Sequence, residues 1–542
     1  MTLLWLVVAG ADPGPGIEVT RHNLSVTGPG PVRSVEQTEV CVFCHATHVP
    51  DAVTPLWNHQ TSPGVGYRPY ASPLLGADAG AVNGASRLCL SCHDGTIAVG
   101  AVRARDGSFR IEPVERTDGG GRLRAGTPAN LGTDLSGSHP VSIAYREAAR
   151  RRSPASRTWL HESPADLGVA LLDATGSVQC TSCHDPHQDP AATGAPVPPF
   201  WKGDTFSEVC TSCHEAPVAD RGHEDPTLML AECGSCHVGH GAPGQALLPE
   251  VEEDNCFDCH GGAAQRREAV EDGRLAGRAE PVRVDDLFTR PYTHPVGASE
   301  GAHRPDERDR LSTARTARHV ECADCHPVHA YRGVDRPEWL PTRAGAAALD
   351  GRPEQELCFD CHGPSADLPY GATDKVREFD PANESFHPVA GPARGRSPSL
   401  RPGVPDAITC SDCHGPDGGD PRRGPHGSRN PYLLRGAYTV RDGADDTSET
   451  YAACYGCHER ERVLSDDTFA GHRQHVVSAR ISCYTCHDSH GSPDAPGLVR
   501  FNKDARNGSV APSASGRLEY DPEARTCRLS CHGVDHDPLG YP

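Results

Sequence analysis

Residues 180–214 read CTSCHDPHQDPAATGAPVPPFWKGDTFSEVCTSCH. Two features of this stretch decide how the chain is built. One is a pair of cysteines two residues apart with a histidine directly after, at Cys180, Cys183 and His184 and again at Cys210, Cys213 and His214. The other is a further histidine, His187, three residues past the first motif only. Working outward, the cysteine pair recurs at Cys41 and Cys44, Cys89 and Cys92, Cys233 and Cys236, Cys256 and Cys259, Cys322 and Cys325, and Cys358 and Cys361. It continues at Cys410 and Cys413, Cys454 and Cys457, Cys483 and Cys486, and at Cys527 and Cys531 with one extra residue between the cysteines. The following histidines are His45, His93, His237, His260, His326, His362, His414, His458, His487 and His532. All 24 cysteines fall into these twelve pairs.

Disulfide frameworks and zinc ribbons also concentrate cysteine, but neither requires a histidine after every second one. Covalent haem does. Two thiols add across the two vinyl groups as thioethers, and the adjacent imidazole is held under the iron as its proximal ligand. The pattern predicts twelve covalent c-type haems, with Cys527 and Cys531 the least regular site.

Histidines outside the motifs form a second pattern. Six motifs carry an added downstream histidine: His48, His187, His240, His329 and His490 at the same spacing, and His426 displaced by an insertion. Each such leading motif is followed by one without the feature, giving six repeats of two. Each repeat also has an upstream histidine: His22, His139, His223, His294, His387, and His472 or His475. Three of these precede Pro-Val, and the residue before proline is pushed into extended backbone, which holds the imidazole off a helix. Only Met1 and Met229 could supply methionine ligation, so bis-histidine ligation is expected throughout. A histidine three residues from the proximal one lies on the same side of its own haem, so it is expected to ligate a different haem. His59, His161, His303, His319 and His536 are surplus. The choices His22 or His59, His472 or His475, and His490 or His536 stay open on sequence alone.

Hydrophobic residues make up 36% of the chain and aromatics 5%, against 57 Gly and 49 Pro. That is too little for an ordinary core, so porphyrin faces must supply the apolar surface. The fold expected is mostly irregular coil with short helices and a few small hairpins, wrapped around a stacked chain of haems. Residues 97–114 alternate enough for a hairpin, and 262–292 and 391–407 read as surface linkers. Net charge is −21, with no basic stripe, so nucleic acid is not an expected partner. Residues 1–11 read as a signal-like segment ending Ala9-Gly10-Ala11, and no later apolar run is long enough to span a bilayer. The divisions that follow are 1–11, then two-haem modules at 12–138, 139–222, 223–293, 294–386, 387–471 and 472–542.

The repeat resembles the doubled-CxxCH family of multihaem cytochromes c. Within 20–142, the stretches TRHNLSVTGPGP, EVCVFCHATH, PLWNH, RLCLSCHDGTIAVG and SHPVS resemble the amino-terminal part of Omc-type outer-surface cytochromes of metal-reducing bacteria. That resemblance implies export to the periplasm or outer surface, and electron transfer to redox proteins or extracellular acceptors. It also implies a filamentous homopolymer, for which His22 and His536, nearest the ends, are the candidates to complete a haem in a neighbouring copy. The alternatives are a multihaem reductase with one open iron, and a periplasmic shuttle or porin-associated cytochrome. No CxxCK variant favours the reductase, so an electron-transfer protein without enzymatic activity is expected.

Overall fold

A computed structural model describes residues 16–46, 56–61, 64–71, 75, 77, 79–150, 160–161, 172–215, 221–243, 245–296, 320–326, 328–329, 353–363, 372–418, 423–465, 469–501 and 510–540. The chain forms two compact units. One comprises Met1–Pro217, Glu224–Val251 and Asp272–Ala276, the other Val218–His223, Glu252–Glu271 and Gly277–Pro542. Both consist mainly of turns and irregular backbone, with short helices and small antiparallel sheets.

The regular structure gathers at the cysteine pairs. Leading motifs form single helical turns, Cys180–Cys183, Cys322–Cys325, Cys410–Cys413 and Cys483–Cys486, with tighter turns at Cys41–Phe43 and Glu232–Ser235. Reciprocal caps start several of them. The Gln179 N–H donates to Ser182 Oγ at 3.0 Å, that of Glu321 to Asp324 at 3.0 Å and that of Thr409 to Asp412 at 2.9 Å. Such a cap contributes about 1 kcal/mol, enough to set where a one-turn helix begins. Partner motifs close longer helices instead, including Gly84–His93, Glu252–His260 and Glu354–His362. Both solutions put cysteines i and i+3 on one face, with Cβ atoms about 5–6 Å apart.

Strand pairing is sparse and placed beside histidines. Tyr292–Thr293 pairs with Gly427–Ser428, and Ser385–Phe386 with Gly491–Ser492. Gly427 and Gly491 directly follow His426 and His490. A Cβ on either would lie 2.0 Å from a backbone oxygen, that of Leu287 or Glu378, so only glycine permits these crossings. A larger sheet ends the described chain. Thr526–Cys531 pairs with Val534–Gly540 on one side, and with Val510–Ala511 and Glu519–Asp521 on the other.

Two sequence expectations need correction. Residues 262–292 are not wholly linker, because Ala263–Glu271 is a helix with Ala269 fully buried. The stretch AAQRREAVE is dense in strong helix formers, which its charge content obscures. The expected hairpin at 97–114 is reduced to a single antiparallel bridge, Ala101 to Ser108, with the Phe109 N–H donating to Gly100 at 2.8 Å. Residues 391–407 contain no helix or strand, as expected of a surface connection.

Candidate haem-binding sites

Imidazoles meet in pairs. In the first unit His22 faces His93, His45 faces His187, His139 faces His214 and His184 faces His240, with ring centroids 6.0–6.2 Å apart. In the second unit the pairs are His223/His260, His294/His362, His326/His426, His387/His458, His472/His487 and His475/His536, at 5.8–6.5 Å. This spacing is too wide for stacking contact and has a specific chemical meaning. Two metal–imidazole bonds of about 2 Å, plus about 1.1 Å from each ring nitrogen to its centroid, give about 6.3 Å. The residues present therefore fit one metal ion between the rings of each pair.

The second ring nitrogen is held by the backbone. Nδ1–H donates to the carbonyl of Pro186 in His22 (3.0 Å), Ala129 in His93 (2.7 Å), Pro199 in His184 (3.1 Å), Tyr432 in His414 (2.7 Å) and Gly497 in His487 (2.8 Å). His294 uses Pro425 (3.0 Å) and His387 uses Ser489 (2.5 Å). Such bonds fix the tautomer, leaving the lone pair on Nε2 for a metal. Burial first, and then the facing imidazole, lowers the pKa of His22, His240, His426, His458 and His472 to about 4. At neutral pH these rings are uncharged, the form that ligates a metal.

The cysteines follow an alternating order. Between modules, first cysteines touch: Cys89 hydrogen-bonds Cys180, Cys210 bonds Cys233, Cys358 bonds Cys410 and Cys454 bonds Cys483. Within modules, the second cysteine of the leading motif has a cysteine of the partner motif nearby, the second one in three cases and the first, Cys358, in the case of Cys325. Burial and then the nearby thiol push Cys183 (by Cys213), Cys325 (by Cys358), Cys413 (by Cys457) and Cys486 (by Cys531) up to about 12. Burial and then Cys44 likewise raise Cys92. The helices Glu252–His260 and Cys322–Cys325 also pack together.

Three further second cysteines stand one turn after the first. Cys236 closes the tight turn Glu232–Ser235, its N–H donating to the Cys233 carbonyl at 3.3 Å. Cys259 stands one turn after Cys256 near the end of helix Glu252–His260, and both are half-buried. Cys361 stands one turn after Cys358 in helix Glu354–His362 and is exposed. In the module of Cys325, Cys358 acts on that thiol before Cys361 does. All three keep the one-turn spacing that two thioethers to one porphyrin require.

The doubled CXXCH motif family matches residues 174–219, 228–265 and 404–463. Multihaem cytochrome MtrA of Shewanella baltica (strain OS185) is 34% identical over 88 residues, which cover 15% of this chain and 24% of that protein. The chain is a multihaem c-type cytochrome. It spans about a quarter of the length of that curated relative.

Across the cytochrome, the added histidines follow one register. His187 stands against His45, His240 against His184 and His426 against His326. None faces the proximal histidine of its own motif; each faces the leading histidine of the module before. In the first five modules the upstream histidine instead faces the partner histidine of its own module, as His22 faces His93 and His139 faces His214, whereas in the last His472 faces the leading histidine His487. The two sets are clamped together: the acceptors of His22, His294 and His387 are the residues directly before His187, His426 and His490.

The open choices divide accordingly. His22 meets His93, whereas the two nitrogens of His59 lie 2.8 Å from the Gln60 carbonyl and 3.1 Å from that of Ala98, with Nε2 also 3.3 Å from Cys92 Sγ. His161 is similarly engaged by Thr211 and Glu215. His472 and His475 both face imidazoles. His490 binds carboxylates through Nδ1 and lies within electrostatic reach of His414. His237 donates from Nδ1 to Ala246 at 2.9 Å, and His329 is half-buried. His48, His303 and His319 lie outside the described residues. His22 and His536, the candidates for ligation in a neighbouring copy, both meet partners within this chain. The Nε2 of His532 lies 3.0 Å from Asp442.

A paired comparison tests the division. His22→Ala is expected to convert one iron to high spin. His59→Ala should leave all spin states unchanged while lowering unfolding stability by about 1–3 kcal/mol, the cost of stranding buried carbonyls. Electron paramagnetic resonance and thermal melts read the two effects separately.

Proposed function

We propose that this cytochrome binds twelve haems, attached at all twelve cysteine pairs, and conducts electrons along them in chain order. The observation that carries this reading is the alternating cysteine register. Thioethers formed at these neighbouring cysteines would bring porphyrin edges together, first to first between modules and, in four modules, second to second within one. The order runs through the first five sites in one unit and through the sixth to twelfth in the other. Short edge-to-edge steps suit electron hopping, and each facing imidazole pair among the described residues would fill both axial positions of an iron, leaving none open to a substrate there. That favours conduction over a multihaem reductase. Ligation by two histidines also gives lower potentials than Met/His ligation.

The setting proposed is outside the cytoplasm, in the periplasm or at the outer surface, with redox proteins or extracellular acceptors as partners. No helix among the described residues is long and apolar enough to cross a membrane. A homopolymer, implied by the resemblance of residues 20–142, would join through groups other than His22 and His536. Imaging the secreted protein tests it, and monodisperse single copies at high concentration would refute it.

Intact mass under denaturing conditions is expected to equal the chain plus twelve haems, and the oxidised protein should show only low-spin iron. Ten or fewer haems would overturn the count. A stoichiometric high-spin signal would overturn conduction as the sole function.

A further inference from the structure

Where one module meets the next, a second contact accompanies the cysteines. A helix start leaves its first N–H groups without partners inside the helix, and in a single turn those are most of the donors it has. At each of the five junctions, the module before supplies an acceptor. The Cys180 N–H donates to Ser86 Oγ at 3.0 Å, and the Cys233 N–H to Ser207 Oγ at 3.4 Å. The Ala323 N–H donates to Glu252 at 2.5 Å. Ser411 donates its N–H at 2.6 Å and its hydroxyl at 2.9 Å to the two oxygens of Glu354. The Ser482 N–H and the Thr485 hydroxyl donate to Asp442, each at 2.7 Å. The acceptor is a hydroxyl in the first compact unit and a carboxylate in the second.

The acceptors hold one register. Ser86 and Ser207 lie three residues before Cys89 and Cys210, and Glu252 and Glu354 lie four before Cys256 and Cys358. Residues three or four apart share a helix face, so each acceptor stands one turn before the first cysteine of its motif and on its side. Helix Ala452–Tyr455 has no turn before Cys454, and there Asp442 serves from the preceding loop. At the two hydroxyl junctions the bond is returned. The Ser86 N–H donates to Gln179 Oε1 at 3.1 Å, and the Ser207 N–H to Glu232 at 2.9 Å. Two helix starts thus cap each other. Ser86 and Gln179 are fully buried, so water cannot replace either partner.

We infer that Ser86, Ser207, Glu252, Glu354 and Asp442 are positioning residues for the electron step between modules. This rests on the reading of conduction through haems in chain order. Caps inside a motif, such as the Thr409 N–H on Asp412, set where a turn begins. The cross-module caps set where that turn sits against the preceding motif, and so how closely the first cysteines of the two approach. Electron tunnelling falls exponentially with edge-to-edge separation, so a small displacement at such a junction slows the whole chain. The side chains themselves carry no electron.

The test compares Glu354→Ala with Glu354→Gln in the full haem-loaded protein. Both remove the same charge, but glutamine keeps an acceptor for the Ser411 N–H. The control is Thr205→Ala, which removes a cap inside one motif, the bond from the Glu208 N–H at 3.2 Å. Electron equilibration after flash reduction and exciton coupling in Soret circular dichroism read the junction, while redox titration and thermal melts read charge and stability. Glu354→Ala is expected to slow equilibration severalfold and weaken the exciton signal. Glu354→Gln should retain most of the rate at the same potentials as the alanine variant, and Thr205→Ala should lower the melting temperature with no change in rate. Should Glu354→Ala fold poorly, Ser411→Ala removes only the hydroxyl donor and is expected to slow the same step less. Equal rates in the alanine and glutamine variants, or equal slowing by Thr205→Ala, overturns the positioning role. Peptide mass separates this from the reading it rests on. Haems at both Cys358/Cys361 and Cys410/Cys413 with an unchanged rate in Glu354→Ala defeat only the positioning role, whereas a haem missing from either pair in the parent protein defeats conduction through this junction as well.

Discussion

Glu378→Gln is expected to raise the midpoint potential of one haem, that at Cys410 and Cys413, by ~60–120 mV. Most described axial imidazoles donate Nδ1–H to a neutral backbone carbonyl. His490 instead lies 3.2 Å from Glu378 and 3.3 Å from Asp488, and the module register assigns it to the iron beside His414. A carboxylate acceptor draws the proton from Nδ1, gives the ring imidazolate character and stabilises ferric iron. Burial alone would lower the pKa of His490, but Asp488 and Glu378 outweigh it and raise it. Burial likewise works to raise Glu378, but bonds from His490, Lys375 and Thr373 bring it down to about 2. The Glu378 side chain is 5% exposed, so solvent does little to screen it. Outer-shell partners of this kind change metal-site properties by 10–100-fold, and a tenfold change is 59 mV for one electron. Spectroelectrochemical titration of variant and parent should show a single component moving upward. An unchanged titration would remove Glu378 from the tuning of this site.

A chain made without haem attachment is expected to lose its tertiary structure altogether. The described apolar clusters are small: Phe43, Val102 and Phe109 form one, and Tyr451, Tyr455, Leu464 and Val476 another. Fixing each residue costs about 1–2 kcal/mol of backbone entropy, and clusters of this size cannot offset it over 542 residues. The facing imidazoles make this worse, since each pair buries polar rings across a gap that only a cofactor fills. Folding free energy must therefore arrive with the haem, as it does with the ion in small metal domains. Small-angle scattering should show the radius of gyration rising toward ~90 Å, against about 24 Å for a compact chain of this length. Near-ultraviolet dichroism should vanish. A haem-free chain that kept its protease resistance would contradict this.

Attachment chemistry is legible in the sequence because it is local: two thiols and an imidazole within five or six residues declare a site wherever they occur. The pairing of histidines is not local. The spacing of His187 excludes its own haem but cannot choose among the others, and the choice of His45 depends on how a later module folds back. Two-residue strand pairs such as Ser385–Phe386 with Gly491–Ser492 are too short to leave a periodic signal. The helix Ala263–Glu271 is hidden by its charges, although its propensity is plain. In Thr526–Cys531, Cys, Leu and Cys alternate with Thr, Arg and Ser, which is a strand signature. Reading those residues first as a cysteine motif conceals it.

The forward register, in which His187 serves the site of His45, also sets a schedule for biogenesis. His187 follows His45 by about 140 residues, and at synthesis rates of 5–20 residues per second that is ~7–30 s. A haem attached promptly at Cys41 and Cys44 would wait that long with one axial position unfilled, and the sites of His184 and His326 would wait in turn for His240 and His426, whereas that of His487 would find His472 already made. At each of those three waiting sites the iron would stay open to peroxide, carbon monoxide or a chaperone's histidine until the next stretch of polypeptide arrives to close it.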